Sequence, residues 1–130
     1  MVGPIIIADL PRKNFQKNLK RRATAQELHL WATRVLAPYQ SDPDPALWIE
    51  ITNLPAAFRR LDRGAPRAYV YGDSQLRFNS KEPIAYLKVI YGSAEGHFGV
   101  ILGPTNLPTP ATREYVISTW APGAWFFDGQ

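Results

Sequence analysis

The chain of 130 residues contains no cysteine and two histidines, His29 and His97. Disulfide stapling, thiolate catalysis and zinc-ribbon chemistry are thereby excluded together, and a domain of this length can be stable without cross-links. No apolar run approaches the roughly 20 residues of a membrane span. The start, Met1 to Leu10, carries only Ile5, Ile6, Ile7 and Ala8 before Asp9, too short for a secretory leader. A cytoplasmic protein with no membrane partner is expected.

Metal and cofactor chemistry lacks its usual signatures too. The two histidines have no H-x-x-x-H pairing and no acid at a useful spacing, while Asp42 and Asp44 stand among prolines without a loop glycine. No metal and no cofactor is expected. Ser74 and Ser93 lack the G-x-S-x-G elbow, and no Lys-Ser or Lys-Thr follows the series Gly92, Gly96, Gly99 and Gly103. These are turn and bend residues.

One further absence is local. The segment 11–22 has no acid, yet it holds Arg12, Lys13, Lys17, Lys20, Arg21 and Arg22, whereas the other nine basic and eleven acidic residues sum to −2. The net charge of +4 is therefore concentrated in one stretch, which creates a field for phosphate or acidic surfaces. Phe15 and Leu19, four apart within it, suggest a short basic helix with Asp9 as cap and Pro11 in its first turn. Read functionally, the cations track a nucleic-acid backbone and Phe15 stacks a base. Read plainly, they are a solvated helix face.

What is present in abundance is periodic apolar and aromatic sequence. Thr24 and Glu27 form a capping-box pattern, and Leu28, Trp31, Ala32, Val35, Leu36 and Tyr39 follow at helical spacing, predicting an amphipathic helix that ends near Pro38. Residues 41–45 read as a turn. Leu47 to Thr52 suits either a short helix or a strand, and Leu54 to Leu61 a further helical turn or two opened by Pro55.

From Arg67 the period changes to two. Ala68 to Tyr71 and Gln75 to Phe78 read as a hairpin joined by Gly72, Asp73 and Ser74. Ile84 to Tyr91, His97 to Leu102 and Arg113 to Trp120 follow as strands, with a proline-bearing surface loop over 103–111. Ala121-Pro122-Gly123-Ala124 matches a type II turn that returns Trp125 to Phe127 beside Trp120. The expectation is a single α+β domain over 1–130, with N-terminal helices packed on one face of a C-terminal antiparallel meander sheet of four to six strands.

Three functions are compatible with this layout. The first is a binding module whose basic segment, through Arg12, Lys13, Phe15, Lys17, Lys20, Arg21 and Arg22, contacts nucleic acid or an acidic protein. In the second, Lys88, His97, Arg113, Glu114 and Ser118 converge on one sheet face and cleave RNA without a metal: imidazole and carboxylate move protons while cations stabilise the phosphorane. Helices followed by an antiparallel sheet is an order similar to that of barnase-like ribonucleases, in topology alone. Trp120, Trp125, Phe126 and Phe127, four bulky residues within eight positions, read most simply as core and cross-strand pairs of the final hairpin, and the third function is an assembly module in which some of these aromatics form a homodimer surface or a ligand cleft.

Overall fold

A computed structural model describes residues 14–39, 47–58, 66–71, 85–93, 96–105, 109–110 and 115–129. Helix α1, described over 14–22, buries Phe15 and Leu19 and leaves Lys17, Lys20, Arg21 and Arg22 exposed. The i, i+4 spacing of its two apolar side chains aims both at one surface. Helix α2, Ala25–Leu36, begins where Thr24 leaves the helical region, its hydroxyl accepting from the Glu27 amide at 3.1 Å. The capping pattern in the sequence is the physical cause of that boundary. Leu28 and Ala32 form its buried stripe, and Arg34 in the last turn lies where a cation favours the helix dipole.

Among the described residues six strands follow: β1 Leu47–Ile49, β2 Arg67–Tyr71, β3 Tyr86–Ser93, β4 Gly96–Leu102, β5 Val116–Ala121 and β6 Ala124–Asp128. Every pairing is antiparallel, and the spatial order is β1-β2-β3-β4-β6-β5. Neighbours in sequence are neighbours in space as far as β4. The β5–β6 hairpin then docks through its second strand, leaving β5 at the edge. Its turn has Pro122 followed by Gly123 at φ 79°, the left-handed position a type II turn requires. Two 3-10 turns, Ile51–Asn53 and Ala56–Phe58, connect β1 towards β2.

The protein is thus α+β, with both helices on one face of the sheet. Phe15, Leu19, Leu28 and Ala32 pack against Val70, Leu87, Val89, Tyr91, Phe98, Val100 and Phe126. Phe15 is central to this inner core, its ring 4.8 Å from Tyr91, 5.3 Å from Phe98 and 6.0 Å from Phe126. The Tyr91 hydroxyl donates to the Phe58 carbonyl and anchors the second 3-10 turn to the sheet.

Several expectations change in detail. The ambiguous segment after Pro45 divides: Leu47–Ile49 is a strand, because Leu47 and Ile49 find partners in Val70 and Ala68, and Ile51–Asn53 is a 3-10 turn. The predicted hairpin of Ala68–Tyr71 with Gln75–Phe78 is replaced by other pairings: β2 has β1 on one edge and β3 on the other, so both its edges are filled. Residues 75–78 lie outside the described part, as does the predicted turn at 41–45. Among the described residues no helix is long and apolar enough to cross a membrane.

Candidate functional site

Strand alternation sorts every residue of the sheet onto one of two faces. The outer face, away from the helices, carries Trp48, Arg67, Tyr69, Tyr71, Tyr86, Lys88, Ile90, His97, Ile101, Trp125 and Phe127, as the cross-strand partners require. Trp48, Tyr69, Lys88, Ile101, Trp125 and Thr119 form one continuous row across all six strands. Its centre is a second apolar cluster of Tyr86, Ile90, Ile101, Trp125 and Phe127, against which Tyr69, Tyr71, Tyr115 and Ile117 pack.

Lys88 lies among these rings with 7% of its surface exposed. Its ammonium donates to the Tyr115 hydroxyl at 2.7 Å and stands 4.0 Å from the Tyr115 ring centroid, 4.8 Å from Phe127 and 5.7 Å from Tyr71. Each such ring contact attracts a cation by about 0.5 to 2 kcal/mol. Removed from bulk water, the charge acts over a longer range than a solvated lysine would.

His97 and Arg67 form the second polar group on this face. The Arg67 guanidinium donates from Nη2 to His97 Nε2 at 3.2 Å. A guanidinium has no acceptor, so Nε2 is the lone-pair nitrogen and the neutral ring carries its proton on Nδ1. The two residues are two strands apart, and the β3 position opposite His97 is Gly92, where no side chain obstructs the approach. Burial, and then the charges of Arg67 and Lys88, hold the His97 imidazole below its ordinary value. Tyr71 moves the other way, raised chiefly by burial and further by Tyr69 and Tyr115, with Arg67 opposing.

Tyr115, which binds Lys88, also lies near the main chain of His97. The Gly129 amide donates to the His97 carbonyl at 2.6 Å, and a β-carbon on Gly129 would stand 3.0 Å from the Tyr115 ring. The His97 carbonyl and the Tyr115 ring therefore flank Gly129, with the Tyr115 hydroxyl at Lys88. Asp128 is the one acid in the described strands, and its pairing with Phe98 puts it on the helix-covered face.

The sequence-predicted residues are distributed unevenly over this geometry. Lys88 and His97 share the outer face. Ser118 pairs with Phe126 and lies on the opposite side, because an even offset along β5 keeps it in phase with Trp120 rather than with Ile117. Arg113 and Glu114 lie outside the described residues, as do Arg12 and Lys13. Phe15 is 2% exposed and offers no ring to a base, a correction that follows from its place in the inner core. Lys17, Lys20 and Arg21, at i, i+3 and i+4, form an exposed stripe on α1, on the other side of the molecule from Lys88. Trp125, Phe126 and Phe127 are each 2% exposed, so both faces of β6 are covered within the protomer and they provide no dimer surface. Among the described residues, no three His, Asp or Glu side chains gather in a metal-binding group.

Tyr69, Tyr71 and Tyr115 were not singled out by the sequence. The period-two alternation of Arg67, Tyr69 and Tyr71 does place three polar-tipped side chains on one face, and that signal was available. Which strand faces them depends on register, which composition does not supply. Comparison with protein-family models, with curated proteins and with solved structures returned no match.

Proposed function

We propose that the protein binds single-stranded nucleic acid on the outer face of its sheet. The observation that carries this reading is a face on which the exposed Arg67 and the part-exposed His97 stand with the half-buried Tyr69 and Tyr71 and the exposed Trp48, and with no carboxylate among its described strand residues. Cations on such a face neutralise phosphates, and aromatic rings stack unpaired bases whatever their sequence. Arg67, the exposed cation of the group, meets the backbone first.

The test is fluorescence anisotropy with labelled single-stranded RNA and DNA over a salt series. Affinity falling with salt is expected, and Arg67→Ala should lower the slope of log affinity against log salt by about 0.7, the loss of one phosphate contact. Binding unaffected by salt, or absent at low salt, overturns the reading.

A second reading keeps the basic helix as the contact, supported by the exposed stripe Lys17, Lys20 and Arg21. Because α1 covers the inner face, one short oligonucleotide cannot lie on both surfaces. Loss of affinity in the combined variant Lys17→Gln, Lys20→Gln and Arg21→Gln, with Arg67→Ala unchanged, selects the helix. The helix also suits an acidic protein, whose capture by wild type and not by that variant would select it as the partner.

A further inference from the structure

We infer that Arg67 and His97 together form a proton-controlled phosphate site, in which His97 takes up a proton as a phosphate of the bound strand seats between the two side chains. This inference rests on the nucleic-acid reading above and adds the regulation of its affinity by pH. The pair stands at the margin of the outer face, clear of its buried floor: Arg67 is exposed, His97 is partly exposed, and the hydrogen bond between them is open to solvent. The β3 position opposite His97 is Gly92, itself exposed, so no side chain blocks the imidazole on that flank.

In the neutral state the contact is satisfied internally. Arg67 donates from Nη2 to the His97 Nε2 lone pair at 3.2 Å, and this bond, together with the guanidinium charge, favours the unprotonated ring. Protonation reverses the arrangement. Nε2 becomes a donor, so the two residues turn N–H groups and positive charges towards each other with no acceptor between them. A phosphate oxygen supplies the missing acceptor and takes charge-assisted bonds from both. Such an anion binds the imidazolium form more tightly than the neutral one, and by linkage it draws a proton onto the ring.

The surrounding charges set the direction. Facing His97 are Arg67 from β2 and Lys88 from β3, with Tyr69, Tyr71 and Tyr115 as the other titratable groups of the face. Among the described strand residues no carboxylate stands there to hold an imidazolium in the free protein. Burial and the two cations therefore keep the free ring neutral near neutral pH, and an arriving anion offsets both. A phosphodiester is the anion this face suits. Tyr69 lies two residues from Arg67 on the same side of β2 and pairs with the exposed Trp48, which places rings for the bases beside the phosphate.

The experiment measures binding of the full chain to an oligothymidylate, whose bases do not titrate between about pH 5.5 and 7.5, using the anisotropy of a dye equally inert to pH. Both ends of that range are compared at constant ionic strength. Wild type should bind about 5- to 10-fold more tightly at the acid end, with a salt slope steeper by about 0.7, the gain of one phosphate contact. His97→Gln should show the same affinity and slope at both ends. His29→Gln, altered on α2 at the far side of the sheet, should keep the wild-type dependence. Magnetic resonance provides a readout that needs no change at His97: its ring should titrate at higher pH with the oligonucleotide bound than without it. Salt-dependent binding of equal strength at the two pH values, or a His97 titration unmoved by the oligonucleotide, overturns this inference and leaves the binding reading standing. A pH dependence that survives in His97→Gln also overturns it. No binding at either pH overturns both.

Discussion

The two faces of the sheet are built from the same strands and differ in almost everything that matters chemically. The helix side takes Leu87, Val89, Tyr91, Val100 and Phe126 into a core closed by Phe15 and Leu28, while the opposite side takes the alternate positions Lys88, Ile90, His97 and Phe127. One backbone thus supplies an apolar core on one side and a mixed polar and aromatic face on the other, and a group such as Lys88 stands on strands whose alternate residues are fixed by the opposite core. Positioning by strands rather than loops gives a site the precision of the sheet.

The contrast is broken most severely from the inner side. Phe126→Ala removes a ring stacked 5.0 Å from Trp120 and edge-on to Phe15, and should cost about 3 to 5 kcal/mol in denaturant titration. The same experiment on the outer side has a different readout. Trp48→Ala, at a residue 59% exposed, should leave stability within about 0.5 kcal/mol and weaken RNA binding by about 1 to 3 kcal/mol, the worth of one stacked base. Stability and affinity falling together in both variants would abolish the distinction between the faces. Thr24→Ala, which removes the cap of α2, should lower stability by about 1 kcal/mol and leave RNA affinity unchanged, since the helix lies on the far side.

The smallest effect is that of pH. His97 in the folded protein titrates below its ordinary value, so on acidification the unfolded chain takes up a proton first. Any stability this group contributes is complete above about pH 6.5 and falls as the pH drops towards the folded-state value. The half-exposed ring keeps the loss small, and His97→Gln should flatten the melting temperature across that window. A wild-type profile identical to that of the variant would remove His97 from the charge-coupled group.

The reach of the sequence follows the range of the interactions involved. The α2 boundaries and the Pro122-Gly123 turn are local, determined by a cap and by backbone preferences within a few residues, and both are legible before any coordinates. The partners of β2 are not, since a hairpin with Gln75–Phe78 and insertion between β1 and β3 satisfy the same alternation. Phe15 illustrates a different failure. Its i, i+4 spacing with Leu19 marks a buried stripe, but the surrounding cations invite a surface reading, and the stripe is what the fold obeys. For the site, His97 and Lys88 were visible as titratable residues in strands. Their coupling to Arg67 and Tyr115 depends on register across β2, β3 and β4 and on the approach to Gly129, all of them long-range facts.

The position of β6 between β4 and β5 has a consequence for how the chain is made. During synthesis β5 precedes β6, its one neighbour among the described strands, and the edge of β4 that β6 fills stays uncovered until Ala124–Asp128 has been added. A chain lacking Ala124–Asp128 would therefore present a sticky β4 edge beside an unattached β5, both open to aggregation.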